Sequence, residues 1–391
     1  MIAITVLVLV MVVPLAIVSA FFALELLIGL APSKVSAPVG ADAASAIIAI
    51  PAHNEEAVIA RTIGAILAQT SGAYPLLVVA HNCTDRTADL ARAAGARVVV
   101  RHEPEHRGKG FALAAARADL LSDPPDVVIV LDADCRIDRA SLDALIQTAT
   151  ASGRACQAVN LLSPDLRSSP LVQISTFAFM VKNLVRQRGL QRLADRAHLT
   201  GTGMALPWPM FANANLGGSN IVEDLALGLE LGEAGSRPTL VSNATVWSPP
   251  ASASGTLVQR ERWEGGFLVT ALRLAPRMIG QSIRRRDLRG LFAGLDLSIP
   301  PLALLIALDG AALVLAALAA LAGAAAWPAV ILLGAGIAAA ISIAMAWFVE
   351  GRKFASVSTI LRLPFYVLWK LPMYVGLARR GAPKEWLRTG R

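Results

Sequence analysis

Three long and almost uncharged apolar runs divide this 391-residue chain, and they constrain its architecture before any motif is considered. Ile2 to Leu24 carries no ionisable side chain. As a helix rising about 1.5 Å per residue, such a run reaches across the roughly 30 Å hydrocarbon core of a bilayer. Leu302 to Ala326 is apolar apart from Asp309, and Pro328 to Val349 has no charge at all. Hydrophobic residues make up 55% of the chain and its mean hydropathy is +0.57, with the excess concentrated in these blocks. Between them, Ala46 to about Arg289 has the mixed composition of a water-facing globular domain. That partition excludes an ordinary soluble enzyme.

The first run competes with a secretory signal peptide, since Val18-Ser19-Ala20 resembles a cleavage site. No Lys or Arg precedes it and it is long for a signal core, which favours a span. Basic residues set the orientation. They crowd Arg284-Arg285-Arg286, Arg352-Lys353 and the tail from Arg379 to Arg391, and are absent from the link around Trp327. The arrangement that satisfies this bias has the N-terminus outside, the globular domain and tail in the cytoplasm, and a tight hairpin across and back. Phe354–Ala378 is interrupted by Arg362, Pro364, Lys370 and Pro372, which suits an interfacial segment as well as a third C-terminal membrane segment. A net charge of +8 fits a surface near anionic lipid; no nucleic-acid motif interleaves the basic runs, so no nucleic-acid partner is expected. Cys83, Cys135 and Cys156 lack metal-ligand spacing and read as free thiols.

Within the globular part, short β-branched runs alternate with helical stretches. Ile47–Pro51, Leu76–Ala80, Val98–Val100 and Val127–Leu131 read as strands; Glu55–Gln69, Asp85–Ala94 and Gly110–Leu121 read as helices. Uninterrupted apolar strands between helices predict an α/β fold with a mostly parallel sheet covered on both faces. Ligands of such sheets bind beyond the carboxyl ends of the strands. That rule points to the loops at Pro51–Glu56 (PAHNEE), at His81–Asp85 (HNCTD) and at Asp132–Asp134 (DAD).

Two carboxylates one residue apart at a strand end, Asp132 and Asp134, can present oxygens to one hard divalent cation, with substrate phosphates completing its shell. His106-Arg107-Gly108-Lys109-Gly110 follows the third strand. Its glycines allow close backbone approach, and Lys109 can face phosphate oxygens, although the spacing is not that of a P-loop. Taken alone, the paired Asp suit a solvated loop and Lys109 a solvated helix start. Glu223 and Asp224 are adjacent at the start of an amphipathic helix, so one can face the site while the other anchors structure. A favourable partner for the helix dipole is the alternative for this pair. Gln259, Arg262 and Trp263 of QRERW share one helical face that offers an amide, a guanidinium and an indole. An interfacial Trp with a snorkelling Arg is the rival for that face.

In this order, PAHNEE, HNCTD, GKG, DAD, ED and QRERW resemble the family 2 glycosyltransferases, of the membrane-integrated kind that includes cellulose, chitin and hyaluronan synthases and ceramide glucosyltransferases. The resemblance covers roughly Ala46 to Arg289, and Thr200–Leu206 (TGTGMAL) resembles the family's small-residue strand near the acceptor. It implies a Rossmann-like GT-A domain at 46–289 and inverting transfer from a nucleotide sugar, with a UDP-sugar expected, to a lipid, lipid-linked or polysaccharide acceptor. It implies donor contacts at Pro51, His53, Glu55, His81, Asp85, Lys109 and Asp132. Mg²⁺ or Mn²⁺ would sit at Asp134 with Asp132, and Asp224 would be the general base. Glu223, Gln259, Arg262 and Trp263 would line the acceptor and diphosphate end. Many relatives carry Asp where this chain has His81, which changes the donor and acceptor set offered to a nucleobase.

The flanking segments are then an N-terminal transmembrane helix at 1–31, a hairpin at 299–350, and the interfacial or membrane segment with basic tail at 354–391. Such a chain would be a multi-pass protein of the inner (plasma) membrane, in contact with membrane lipids. Processive polymer synthesis with a partner subunit is the main alternative. A nucleotidyltransferase would also use a sheet, a metal and paired Asp, but would need neither Asp224 nor the QRERW face. A catalytically silent nucleotide-sugar-binding protein would be expected to lack one of the carboxylates. Asp309 within the second run marks a polar path, a helix contact, or closeness to the interface.

Overall fold

A computed structural model describes residues 2–31, 44–217, 222–251 and 253–381. The tail past Gly381 and Asn220-Ile221, which precede the Glu223-Asp224 pair, lie outside the described residues. Eight strands form one sheet: β1 (Ala46–Ala52), β2 (Leu76–His81), β3 (Arg97–Arg101), β4 (Val127–Val130), β5 (Arg136–Ile137), β6 (Cys156–Leu162), β7 (Met204–Pro207) and β8 (Thr239–Ser248), in the order β3-β2-β1-β4-β7-β6-β8-β5. The four strands read from sequence are parallel neighbours, with Ile48 beside Leu76 and Ile129. The sheet is mixed beyond them, because β7 runs antiparallel to both β4 and β6.

The helices are α1 (Ile2–Leu30), α2 (Ile59–Thr70), α3 (Thr87–Ala93), α4 (Lys109–Leu120), α5 (Arg139–Ser152), α6 (Pro170–Met180), α7 (Gln187–Ala194), α8 (Trp208–Asn213), α9 (Glu223–Glu233), α10 (Ala253–Arg285), α11 (Leu288–Ser298), α12 (Leu302–Leu321), α13 (Trp327–Val349), α14 (Val357–Ile360) and α15 (Leu363–Arg380). A single π-helical turn, Val181–Arg186, joins α6 to α7. The sheet's apolar strands are covered on both faces. Ile48, Ile50, Val78 and Ile129 pack under α2 and α5; Ala49, Leu77, Val79 and Val128 pack under α4. At roughly 25 cal/mol per Å² of apolar surface, these two layers are the main stabilising term of the domain.

α2 starts at Ile59, four residues later than the sequence pattern suggests. Asn54 takes a left-handed conformation (φ 54°), and the Glu55 N–H is bonded to Thr87 Oγ1 at 2.7 Å, so the chain leaves β1 in a fixed turn before the helix begins. Three helices, α1, α12 and α13, are long and apolar enough to cross a membrane. They carry exposed apolar side chains such as Leu7, Val10, Leu315 and Ile341. Ser19 Oγ of α1 donates to Asp309 Oδ2 at 2.6 Å, so Asp309 is a helix contact. α15 is not one of the three; it docks on α10 and α12, burying Tyr366, Lys370 and Tyr374 while leaving Phe365, Leu368 and Trp369 exposed. Cys83, Cys135 and Cys156 are free thiols.

Candidate active site

The carboxyl ends of β1, β2 and β4 open into a cleft of about 1660 Å³. Pro51, His53, Glu55, His81, Lys109, Asp132, Asp134, Glu223, Asp224, Gln259, Arg262 and Trp263 all line it. Twelve of the thirteen residues singled out in the sequence therefore meet in one place. The exception is Asp85. Its carboxylate accepts from the Glu56 N–H at 3.1 Å and the Thr87 N–H at 3.0 Å, so it ties the first loop to the start of α3 rather than facing the cleft. The same two loops are joined by His53 Nδ1 with the His81 carbonyl (2.8 Å) and by the Thr84 N–H to Asn54 Oδ1 (2.7 Å).

His81 is only 4% exposed, and burial lowers its pKa, which favours the neutral ring. Its Nε2 is 2.7 Å from the His106 carbonyl, which assigns the proton to Nε2 and leaves Nδ1 as the lone-pair nitrogen. His81 thereby fastens the strand end to the loop that carries Lys109.

Lys109 is not the solvated helix start that its local sequence also allows. Its Nζ bonds the Asp132 carboxylate and donates to the Gly201 carbonyl at 2.5 Å. Burial works against its charge, but Asp132 and the nearby Glu223 and Asp224 outweigh this and raise its pKa. A side chain at the following residue would force a neighbour to shift. The Gly110 N–H donates to Glu223 Oε2 at 2.9 Å, and a Cβ there would stand 2.7 Å from that oxygen. Thr202 Oγ1 accepts from the Asp132 N–H at 3.1 Å, so the small-residue stretch before β7 holds the DAD loop.

Glu223 and Asp224 open α9, and both face the cleft. Glu223 holds the Gly110 loop, which places it nearer the Lys109 side than the acceptor end expected from sequence. Burial pushes its pKa up to about 7 against the pull of Lys109. Burial also raises Asp224, countered by the Leu225 backbone N–H, Lys109 and Lys182. Asp224 and Lys109 flank Gly201: a Cβ at that residue (φ +83°) would lie 3.1 Å from Asp224 Oδ2 and 3.6 Å from Lys109 Nζ. A side chain there would crowd the Asp224 carboxylate and the Lys109 ammonium.

On α10, Gln259, Arg262 and Trp263 present the shared face read from their spacing. Arg260 also borders the cleft, but its guanidinium donates to the Ser175 hydroxyl and carbonyl at 2.8 Å. The Trp263 ring lies 5.8 Å from that of Phe179. Burial lowers the Arg262 pKa, with Asp132 close enough to oppose it.

Among the described residues, no three His, Cys, Asp or Glu side chains converge into a metal cage. A magnesium- or manganese-type ion does not need one, since it takes one or two carboxylates and fills its shell with phosphate oxygens and water. Asp134 at the cleft wall and Asp132, whose side chain is 41% exposed, fit that donor set.

The family described as "Glycosyltransferase like family 2" matches residues 44–266. The chain belongs to this family. Three mycobacterial proteins called uncharacterized glycosyltransferases are 36% identical over 99 residues, 25% of this chain; one is from Mycobacterium tuberculosis H37Rv. The match spans 41% of the length of those relatives. A solved mannosyltransferase from Pyrobaculum calidifontis, in complex with GDP-Man and Mn²⁺, shares the fold at 17% identity with a TM-score of 0.54. That likeness covers 94% of this chain and 99% of the other, spans included.

Three features of this glycosyltransferase family member escape sequence reasoning. Lys182, on the π turn, faces the cleft and lies 5.2 Å from the Phe267 ring. Arg186, on the same turn, is held by Glu25 of α1 (2.8 Å) and Asp296 of α11 (2.5 Å), with His198 on the other Asp296 oxygen. Burial opposes ionisation of Asp296, but Arg186 and His198 overcome it and hold the carboxyl well below its usual range. Glu264, one residue past QRERW, takes Lys370 (2.5 and 2.7 Å) and Tyr374 (2.8 Å) from α15.

Proposed function

We propose that this chain is a membrane-bound inverting glycosyltransferase that moves a sugar from a nucleotide sugar to a lipid or lipid-linked acceptor. The observation that carries the reading is the meeting of Asp132, Lys109 and Asp224 around Gly201 in one cleft. The cleft continues past the π turn to Phe22 of α1 and to Ile299, Pro301 and Leu302 at the start of α12, so its far end adjoins the candidate spans. A lipid headgroup held at that end has Asp224 within reach.

In this reading the loops at Pro51–Glu56 and His81 hold the nucleoside, and Asp134 with Asp132 holds a divalent ion. When bound, the ion neutralises charge on the diphosphate as it departs. Lys109 and Arg262 add fixed cations on the same side, and Trp263 offers a ring face for a sugar. Asp224 takes the proton from the acceptor hydroxyl. The acceptor oxygen forms the new bond to the anomeric carbon on the face opposite the departing diphosphate, which leaves with the electron pair of the broken C–O bond. Raised by burial, Asp224 is a stronger base than an exposed carboxylate. The basic clusters at 284–286 and 352–353 support an orientation with the sheet domain in the cytoplasm and the N-terminus outside.

The test is to incubate membranes containing the chain with labelled UDP-, GDP- and other nucleotide sugars, with Mg²⁺ or Mn²⁺. Label extracted with lipid supports the proposal. Label in insoluble polymer assigns the chain to processive synthesis, and no transfer from any donor contradicts both.

A further inference from the structure

The charges of the cleft fall into two neighbourhoods. Those acting most strongly on Lys109 are Asp132, Glu223 and Asp224. Those acting on Lys182 are Arg186, Asp224, Arg260 and Glu264. Asp224 is common to both, so the proposed base is within electrostatic reach of both cations.

The membrane-side carboxylates are already taken. Glu264 is bonded by Lys370 and Tyr374, and Glu25 and Asp296 by Arg186. Arg260 is spent on Ser175. Among the described residues no carboxylate bonds the Lys182 ammonium, whose close partner is the Phe267 ring. The Lys182 side chain is exposed to the cleft, so its ammonium can exchange water for a ligand anion. The wall beyond it is apolar, with Phe22, Leu190, Ile299 and Leu302.

We propose that Lys182 binds a phosphate on the headgroup of a membrane-resident acceptor, beside the hydroxyl presented to Asp224, with the acyl or prenyl chain leaving along the apolar wall. This rests on the glycosyltransferase reading and names its acceptor as an anionic lipid. The ammonium suits a phosphate as a point charge with three donors. Lys182 and Arg186 both lie on the π turn and both line the cleft.

The test uses the purified full chain in neutral detergent, holding Mn²⁺ and a non-transferable nucleotide-sugar analogue. Dodecyl phosphate, dodecanol and inorganic phosphate are titrated in turn. We expect dodecyl phosphate to bind at least roughly tenfold tighter than the other two, as a charge-assisted contact gives. Lys182→Met should erase that preference while the analogue's own Kd moves less than about twofold, and Lys182→Arg should restore most of it. A preference that survives in Lys182→Met overturns the proposal. So does a loss of analogue affinity in that variant, which would assign Lys182 to the donor diphosphate, or inorganic phosphate binding as tightly as dodecyl phosphate. Failure of the wild-type chain to bind any nucleotide-sugar analogue is a different result and counts against the glycosyltransferase reading itself.

Discussion

The cleft has a rim and a floor, and the two treat charge in opposite ways. At the rim, Lys109 and Asp132 are 23 residues apart, come from consecutive loops of one sheet, and leave the Asp132 side chain 41% exposed. On the floor, Arg186 bonds Glu25 across 161 residues of sequence and Asp296 across 110, with side-chain exposures of 0% and 2% for the two carboxylates. Rim charges remain wet enough to exchange a protein partner for a ligand. Floor charges are locked to one another and fasten α1, the π turn and α11 together, where the sheet domain meets the candidate spans. Charge pairing is open at the rim and closed on the floor.

The contrast can be broken by experiment. Arg186→Met leaves two buried carboxylates facing each other and should cost about 3–5 kcal/mol of stability. Thermal unfolding of the full chain in detergent reads this, and a loss below about 1 kcal/mol would mean the floor is as relaxed as the rim. Lys109→Met should cut transfer by about 10²–10³-fold while barely moving the unfolding temperature. A fall in stability matching that of Arg186→Met would erase the distinction. Ser19→Ala, which strips Asp309 of its hydroxyl donor, should cost about 0.6–1.7 kcal/mol, measured in the same unfolding assay.

The smallest effect expected is one of pH. Glu223 is raised to about 7, so the native protein holds that proton more tightly than the unfolded chain. The resulting stability is full below the unfolded carboxyl range and is lost as pH rises through about 7. Activity should run the other way, falling as the pH drops through that range and the Glu223–Asp224 pair takes up protons. Glu223→Gln keeps an acceptor for the Gly110 N–H but removes a neighbouring charge. It should move the acid limb of kcat/KM to lower pH, and an unmoved limb would detach Glu223 from the titration.

What could be read from sequence follows the same division. The rim is built from short loops at strand ends, so PAHNEE, DAD and the Lys109 loop announced themselves by composition and by the position of the strands before them. The spacing of Gln259, Arg262 and Trp263 placed them on one face because helical periodicity is local. Asp85 misled because the sequence shows that a carboxylate stands in a loop but not which backbone N–H groups it will satisfy. The antiparallel β7 was hidden because its four residues carry no period that distinguishes direction. Lys182 and Arg186 were invisible, and Lys370 showed only as an interruption of an apolar run, for a deeper reason. Each acquires its surroundings from segments more than eighty residues away, and a π turn leaves no mark on residue type.

The central claim is that Asp224 is the proton acceptor in a cleft whose donor end works independently of it. Asp224→Asn preserves shape and hydrogen bonding but removes the base. Donor affinity and transfer should be measured on the same preparation of this variant, with Mn²⁺ present. We expect transfer to fall by about 10²–10⁴-fold with the donor Kd within about twofold of wild type. Substantial transfer, or donor binding lost together with transfer, would contradict the account.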